Sequence, residues 1–338
     1  MSTGRTAPAV HISGLGTALP GVPGPHALLD APRHEPRDPA AALRGGGLRY
    51  KDRATRLALA AALAALADAR LLDDEGNLTV DGEDFGVVVS TNWGNVDTVC
   101  DTSATIRRHS YRATSPMLLP NTASNVTASW LAITHGLRGA NLTLNNGPTS
   151  GLDAVHFART LIAAGRLRRA LVVGVEPAND PVRRLLDGSP GPGALLDGAA
   201  ALVAEAADAV RERAVTPLAR IGRYARAGDL AAATAAARRG ESAPPGTWWT
   251  PEPPLAGPAP GPVTAGTAHA LHALHGRCSG ALGVLQCVAA TAGLARDHGE
   301  SALAATGHGP LDTGAGQDDA AAALWLHRIP GARPGAAP

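Results

Sequence analysis

Aromatic residues make up only 3% of these 338 residues, so a core assembled from ring stacking is excluded and Ala, Leu and Val must fill the interior. Lysine is nearly absent: Lys51 is the single one among 30 basic residues, which removes lysine chemistry anywhere beyond Lys51 and any Gly-rich phosphate loop that ends in lysine. With so much Ala, Gly and Pro, that imbalance reads as the codon bias of a GC-rich genome. There are 3 cysteines, Cys100, Cys278 and Cys287. Their number and spacing suit neither a disulfide framework nor a CxxC metal site, so a reducing cytoplasm is the expected compartment. No apolar run is long enough to span a bilayer, and the first residues, MSTGRTAPAV, lack the apolar region of a signal peptide. Net charge is also missing, at +1, with 30 basic against 29 acidic residues. That balance argues against a nucleic-acid partner.

What is present is a 45% hydrophobic content, enough for a large core in one large or two medium domains. Residues 10–15 read as a buried strand ending at glycines, and residues 22–48 as loop. Residues 52–72 carry Ala and Leu at helical spacing, with Asp52 placed to cap the helix. Residues 85–90 (FGVVVS) and 169–175 (RALVVGV) are continuous apolar runs, as expected of strands covered on both faces. Helices are expected over 121–135, with Gly136 as the stop, over 152–164, over 229–239 capped by Asp229, and over 280–295. Further strands are expected at 141–144, 199–204, 218–224 and 321–329. The Pro/Gly-rich stretch 240–265 reads as a linker or collapsed loop. This alternation of strands and helices points to an α/β fold.

Two motifs invite sharper readings. Gly14, Gly16 and Gly21 faintly echo a dinucleotide loop, but the third glycine is misplaced, so a tight turn after the strand is the stronger reading. His269, His272, His275 and Cys278 recur every three residues. Such steps rotate by about 300° each on a helix and fan the side chains over half its circumference, so packing histidines are favoured over a metal site. The arginine clusters at 107–108, 166–169, 183–184 and 238–239 suit solvated faces, with docking of an acidic protein as the alternative.

Residues 115–177, SPMLLPNTASNVTASWLAITHGLRGANLTLNNGPTSGLDAVHFARTLIAAGRLRRALVVGVEP, resemble the β-ketoacyl synthases of the thiolase-like superfamily. In that family a Pro-x-x-x-Pro-Asn segment precedes a helix, a Leu-Arg-Gly-x-Asn strand follows, and then comes a turn with the nucleophilic cysteine at its apex. The first strand at 10–16, the run Leu196-Asp197-Gly198 with its apolar continuation, Gly276 with the small-residue helix start at 280–283, and 314–317 before the last strand are similar to other family motifs. The resemblance implies a layered αβαβα architecture with two related halves. Residues 1–215 would form the first and 216–338 a shortened second, carrying the Pro/Gly-rich loop at 240–265.

The resemblance also implies that the chemistry is missing. Alignment puts the nucleophile's apex at Pro148, which offers neither a nucleophile nor a backbone N–H for an oxyanion. The family's His-Gly-Thr-Gly-Thr histidine has no counterpart, because that segment falls in the Pro/Gly stretch. The later loop's lysine aligns with His272 and its histidine with Arg277, and the C-terminal Phe becomes Ala315. A permanently charged guanidinium cannot act as a histidine does. The implied protein is a degenerate member of the chain-length-factor kind, from a type II polyketide synthase. It would pair with a cysteine-containing ketosynthase, meet an acyl carrier protein, and need no cofactor, metal, membrane or nucleic acid. Pro116, Met117, Leu118, Leu119, Asn121, Asn125, Asn145 and Asn146 are the residues expected at the interface or tunnel; packing in the core is the rival reading for the apolar three. Aromatic-type chain length factors commonly carry glutamine at the apex, so Pro148 implies a divergent class, such as one handling reduced or polyene chains. An acyltransferase using Ser150 or a cysteine, and a structural or regulatory binding protein, remain as alternatives.

Overall fold

The structure is a computed structural model describing residues 8–32, 37–44, 47–186, 194–253, 264–296, 298–307 and 320–331. Its first part runs β1 (Val10–Ala18), α1 (Arg53–Asp68), β2 (Phe85–Ser90), α2 (Val96–His109), α3 (Val126–His135), β3 (Asn141–Leu144), α4 (Ser150–Ala163), β4 (Arg169–Glu176), α5 (Asp180–Leu186) and β5 (Gly198–Ala206). It continues with α6 (Ala207–Glu212), β6 (Ala219–Ala227), α7 (Leu230–Ala237), β7 (Thr247–Trp249), β8 (Thr267–His269), α8 (Leu271–His275), α9 (Leu282–Leu294), β9 (Ser301–Thr306) and β10 (Ala321–Arg328).

The expected strands form where apolar runs occur, and β2, β4 and β5 are buried along their whole length because helices cover both faces. Two expected caps are in place. The Asp52 carboxylate accepts from Thr55 N at 2.7 Å, and that of Asp229 from Ala232 N at 2.7 Å, each taking up an N–H that the first helical turn leaves free. Helix α1 stops at Asp68 rather than 72, where Arg70 adopts a φ of 56°. Helix α3 starts at Val126 rather than 121; the preceding Leu119–Thr122 forms a separate 3-10 turn around Pro120. Strand β1 runs past the glycines to Ala18. Gly14 and Gly16 lie inside it, where a Cβ would collide with the backbone of Ala65 and Ala61 in α1, so they serve helix–strand packing and not a turn. The 240–265 stretch is not all loop, since β7 lies within it and pairs in parallel with β8 and β9.

Among the described residues the strands join in the order β3-β2-β4-β5-β1-β6-β10-β9-β7-β8. Read from the two ends inward, that order repeats. Strands β3-β2-β4-β5-β1 and β8-β7-β9-β10-β6 share the same succession, with parallel pairs on the outside and antiparallel pairs toward the centre. The two sets touch through the short β1–β6 pairing, His11 opposite Arg220 and Ile12 opposite Ala219.

Alternating strand residues sort into separate cores. One face of each set, including Val88, Val172 and Leu202 from the first and Ala304, Leu324 and Leu326 from the second, packs on α4 and α9 between them. The opposite face of the first set, including Val87, Leu171 and Val203, packs on α1. That of the second, including Leu303, Ala323 and Trp325, packs on α7. The layers are therefore helix, sheet, helix, sheet, helix, a mixed α/β fold of the thiolase-like kind. Helices α4 and α9 begin side by side at Gly151 and Gly283, where a Cβ on Gly151 would lie 2.6 Å from Gly283 N. This approach brings two loops together, the one before α4 and the one before α9.

Candidate functional site

The chain leaves β3 at Leu144 and turns through Gly147–Thr149, a single 3-10 turn, straight into α4. Gly147 takes a φ of 72°, which its missing Cβ permits. Pro148 sits at the middle of this elbow and is partly exposed, while Thr149 and Ser150 are buried. The Ser150 hydroxyl accepts from Asn146 N at 2.6 Å and has two acceptors for its own proton, Gly147 O at 2.8 Å and Asn92 Oδ1 at 3.0 Å. Asp153, one turn into α4, accepts from Thr149 Oγ1 at 2.9 Å, from Asn146 Nδ2 at 3.0 Å and from the Tyr224 hydroxyl of β6. Tyr224 in turn stacks on His156 at 4.1 Å between ring centres.

Asn92 ties this elbow to the second loop. Its Nδ2 donates to Gly147 O at 3.0 Å and to Ser279 Oγ at 2.8 Å, and its Oδ1 accepts from Gly147 N at 3.2 Å. Ser279 adopts a φ of 45°, unusual for a residue with a side chain. Around it, three consecutive N–H groups point at two buried carboxylates. Glu252 accepts from Cys278 N at 3.2 Å and Ser279 N at 2.6 Å, and Glu176 accepts from Gly280 N at 3.0 Å. Glu176 also accepts from Asn92 N at 2.7 Å, Trp93 N at 3.1 Å and Thr91 Oγ1 at 3.2 Å. Burial outweighs these donors and pushes the Glu176 carboxyl up to about 8. It raises Glu252 as well, against the pull of the nearby Arg277 charge.

The three cysteines lie off the elbow. Cys278 and Cys287 are buried, and burial raises both thiols, further disfavouring the thiolate. Cys100 is exposed on α2. Among the described residues no histidine or lysine is bonded to Ser150, and no group of three or more His, Cys, Asp or Glu is arranged to hold a metal ion. No helix among them is long and apolar enough to cross a membrane.

The sequence-predicted residues fall into three groups. Pro148, Asn145 and Asn146 occupy the elbow, and Arg277 reaches its neighbourhood through the loop that carries Ser279. His272 lies on α8, half-buried, with its Nδ1 unbonded and its pKa lowered by burial and Arg277. Ala315 lies outside the described residues. Pro116, Met117, Leu118 and Leu119 are exposed in the isolated chain, with Met117 at 60%, so core packing does not hold them. Leu118, Leu119 and Asn121 line a cavity of 290 Å³ together with Tyr50, Lys51 and Thr98. Asn121 is buried; it donates to Tyr50 O and accepts from Trp130 Nε1 at 3.2 Å. Asn125 is exposed just before α3. Sequence reasoning missed Asn92, Glu176, Glu252 and Ser279. Only Glu176 left a trace, as a charged residue at the end of the apolar run RALVVGVE.

Residues 38–186 match the family model described as beta-ketoacyl synthase, N-terminal domain. Among curated proteins the chain is 29% identical over 134 residues to 3-oxoacyl-[acyl-carrier-protein] synthase 2 of Vibrio harveyi, covering 40% of this chain and 31% of that one. It is 33% identical over 110 residues to the enzyme of the same name from Rhizobium meliloti, covering 32% of this chain and 25% of that one. The matched segment thus spans a third or less of these relatives. Similar solved structures cover nearly the whole chain. A chain of AntDE:AntF, a type II PKS acyl-carrier protein in complex with its ketosynthase bound to the hexaketide, superposes with a TM-score of 0.74 at 15% identity, covering 96% of this chain and 100% of that one. The ishigamide ketosynthase/chain length factor gives 0.72 at 21% identity over 95% of this chain and 99% of that one. A beta-ketoacyl synthase from Burkholderia phymatum STM815 gives 0.73 at 16% identity over 95% and 100%. At these identities the structures speak for the fold alone. Residues 38–186 are thus similar to the N-terminal domain of beta-ketoacyl synthases, and the described fold as a whole is a mixed α/β fold like that of solved ketosynthase structures.

Proposed function

We propose that this chain is a non-catalytic ketosynthase-like subunit, a chain length factor, that pairs with a cysteine-bearing ketosynthase and shapes the acyl-chain tunnel during polyketide or fatty-acyl elongation. An acyl carrier protein would be the second partner of that complex. The observation carrying this reading is Pro148 at the tip of the elbow. A condensing enzyme attacks a thioester with a thiolate and holds the resulting oxyanion with nearby N–H donors. Proline supplies neither a thiol nor an N–H. The hydroxyls that follow the tip, on Thr149 and Ser150, are both 0% exposed: Thr149 donates to Asp153 at 2.9 Å, and Ser150 is committed to amide and carbonyl groups, with no base to take its proton.

Two further observations support a partner. Strand β3 is the outer strand of its sheet, pairing only with β2 among the described residues, and its free edge offers unpaired backbone groups to another chain. Exposed Val99, Ile106, Tyr111, Met117, Leu118 and Leu119 follow one another over α2 and the segment after it. Helix α2 buries none of its own residues, although its sequence is amphipathic. The ketosynthase/chain length factor among the similar structures is consistent with this role.

The test is co-expression with a cysteine-containing ketosynthase, followed by incubation of the complex with acyl and malonyl carrier protein and intact-mass measurement of each subunit. A 1:1 complex in which only the partner gains an acyl group is expected. An acyl adduct on this chain at Ser150 or a cysteine would replace the proposal with an acyltransferase. A stable homodimer that ignores the synthase would leave a separate binding protein.

A further inference from the structure

The Arg277–Ser279 loop carries a complete receptor for a carboxylate. Arg277 brings a guanidinium, and Cys278 and Ser279 present successive N–H groups at the entry to α9. Both oxygens of Glu252 are engaged there: Oε1 with Ser279 N at 2.6 Å, Oε2 with Cys278 N at 3.2 Å and with the Arg277 Nη1 at 3.7 Å. Glu252 is 4% exposed. It arrives on a segment framed by Pro251 and Pro253, immediately after β7, and Arg277 Nη2 also donates to Pro253 O at 2.9 Å. A buried carboxylate is costly unless each oxygen is met by donors, and this loop meets both. The Arg277 side chain is 14% exposed, against 5% for that of Glu252. The receptor is also coupled to the elbow, because Ser279 bonds Asn92 and Asn92 bonds Gly147.

We infer that the Arg277–Ser279 loop is a carboxylate-binding site whose resident ligand is the chain's own Glu252, so that small carboxylates such as acetate or malonate are excluded until Glu252 is removed. The inference stands apart from the chain-length reading, because a plugged receptor is compatible with either an active or an inactive partner protein. Removing the glutamate side chain leaves an empty cavity shaped for a carboxylate, with an unpaired guanidinium and two orphaned N–H donors on its wall. An exogenous carboxylate that binds only the folded state then restores stability by mass action.

The experiment is thermal unfolding of the full chain as wild type, Glu252→Ala, and the double variant Glu252→Ala with Arg277→Gln, each with acetate, malonate, the neutral analogue acetamide, and chloride at matched ionic strength. Glu252→Ala should unfold several degrees below wild type and recover much of that loss with rising acetate. Acetamide and chloride should do little, the wild type should not respond, and the double variant should lose the recovery. Absence of carboxylate-specific recovery, or equal recovery in the double variant, overturns the inference. If Glu252→Ala does not fold, Glu252→Gln decides. It fills the same space but turns an acceptor into a donor facing an N–H, so it must be less stable than wild type and indifferent to acetate. An E252Q protein as stable as the wild type overturns the assignment.

Discussion

Glu176 closes an apolar strand with a buried carboxyl, and the four donors around it come from Thr91, Asn92, Trp93 and Gly280. Burial wins over those donors and lifts the group from 4.5 to about 8. Between those two values the folded chain holds a proton that the unfolded chain has released. The stabilising contribution is therefore complete below pH 4.5 and is lost as pH rises through about 8. The slope is about 1.4 kcal/mol per pH unit. Half-buried histidines act in the opposite sense at lower pH: desolvation, joined at His327 by the Arg220 charge, holds His135 and His327 near 4, so their neutral forms favour the fold once the pH exceeds 6.5. From 6.5 to 8 the contribution of these two histidines is complete, and because burial raises Glu252 as well, the comparison with Glu176→Gln is what assigns the fall to Glu176. Urea unfolding of the wild type should show stability falling across that range, and Glu176→Gln should flatten the fall while lowering stability at its acid end. A wild-type profile parallel to that of E176Q would remove Glu176 as the titrating group. At this scale the sequence is half legible. Pro148 announces itself within a recognisable turn, whereas Glu176, Glu252 and Asn92 gain their roles only when segments far apart in the chain converge.

The helix pair α4–α9 sets how close the two loops can come. A Cβ on Gly151 would stand 2.6 Å from Gly283 N and 2.8 Å from its Cα, and a Cβ on Gly283 would lie closer still to Leu152 N. Both obstacles are backbone, so no side chain can move aside. Gly151→Ala and Gly283→Ala should each cost about 1–3 kcal/mol through overpacking, although alanine favours helix more than glycine does. Chemical denaturation checks this, and a neutral or stabilising effect of either change would mean that the helices sit farther apart than described. Sequence pattern revealed the elements that bury long apolar stretches, and β2 and β3 were readable to the residue. It failed where tertiary pairing alone makes the element. Strands β7 and β8 have three residues each, and β7 lies among prolines and glycines. Strand β9, Ser-Ala-Leu-Ala-Ala-Thr, is rich in a residue with little strand preference of its own. Helix α2 escaped notice because it buries nothing, so its apolar positions complete no core.

On the scale of the whole molecule, the repeated strand order explains why two loops from opposite halves meet at one centre, and why the first sheet ends in a short open strand beside an apolar surface. Met117 is 60% exposed and Leu119 40%, so changing either removes almost nothing from the isolated fold. Met117→Asp and Leu119→Asp should therefore leave urea midpoints of the free chain within the equivalent of about 0.5 kcal/mol of wild type. If this surface meets the proposed ketosynthase partner, each change forfeits the burial of one large apolar side chain, about 1.5–3 kcal/mol. That corresponds to a loss of affinity of roughly 10- to 150-fold. Titration calorimetry or sedimentation of the variant with the synthase measures that loss directly, and the unchanged midpoint separates it from misfolding. Equal affinity for wild type and both variants would place the partner elsewhere on the molecule and leave the apolar surface over α2 without its proposed role.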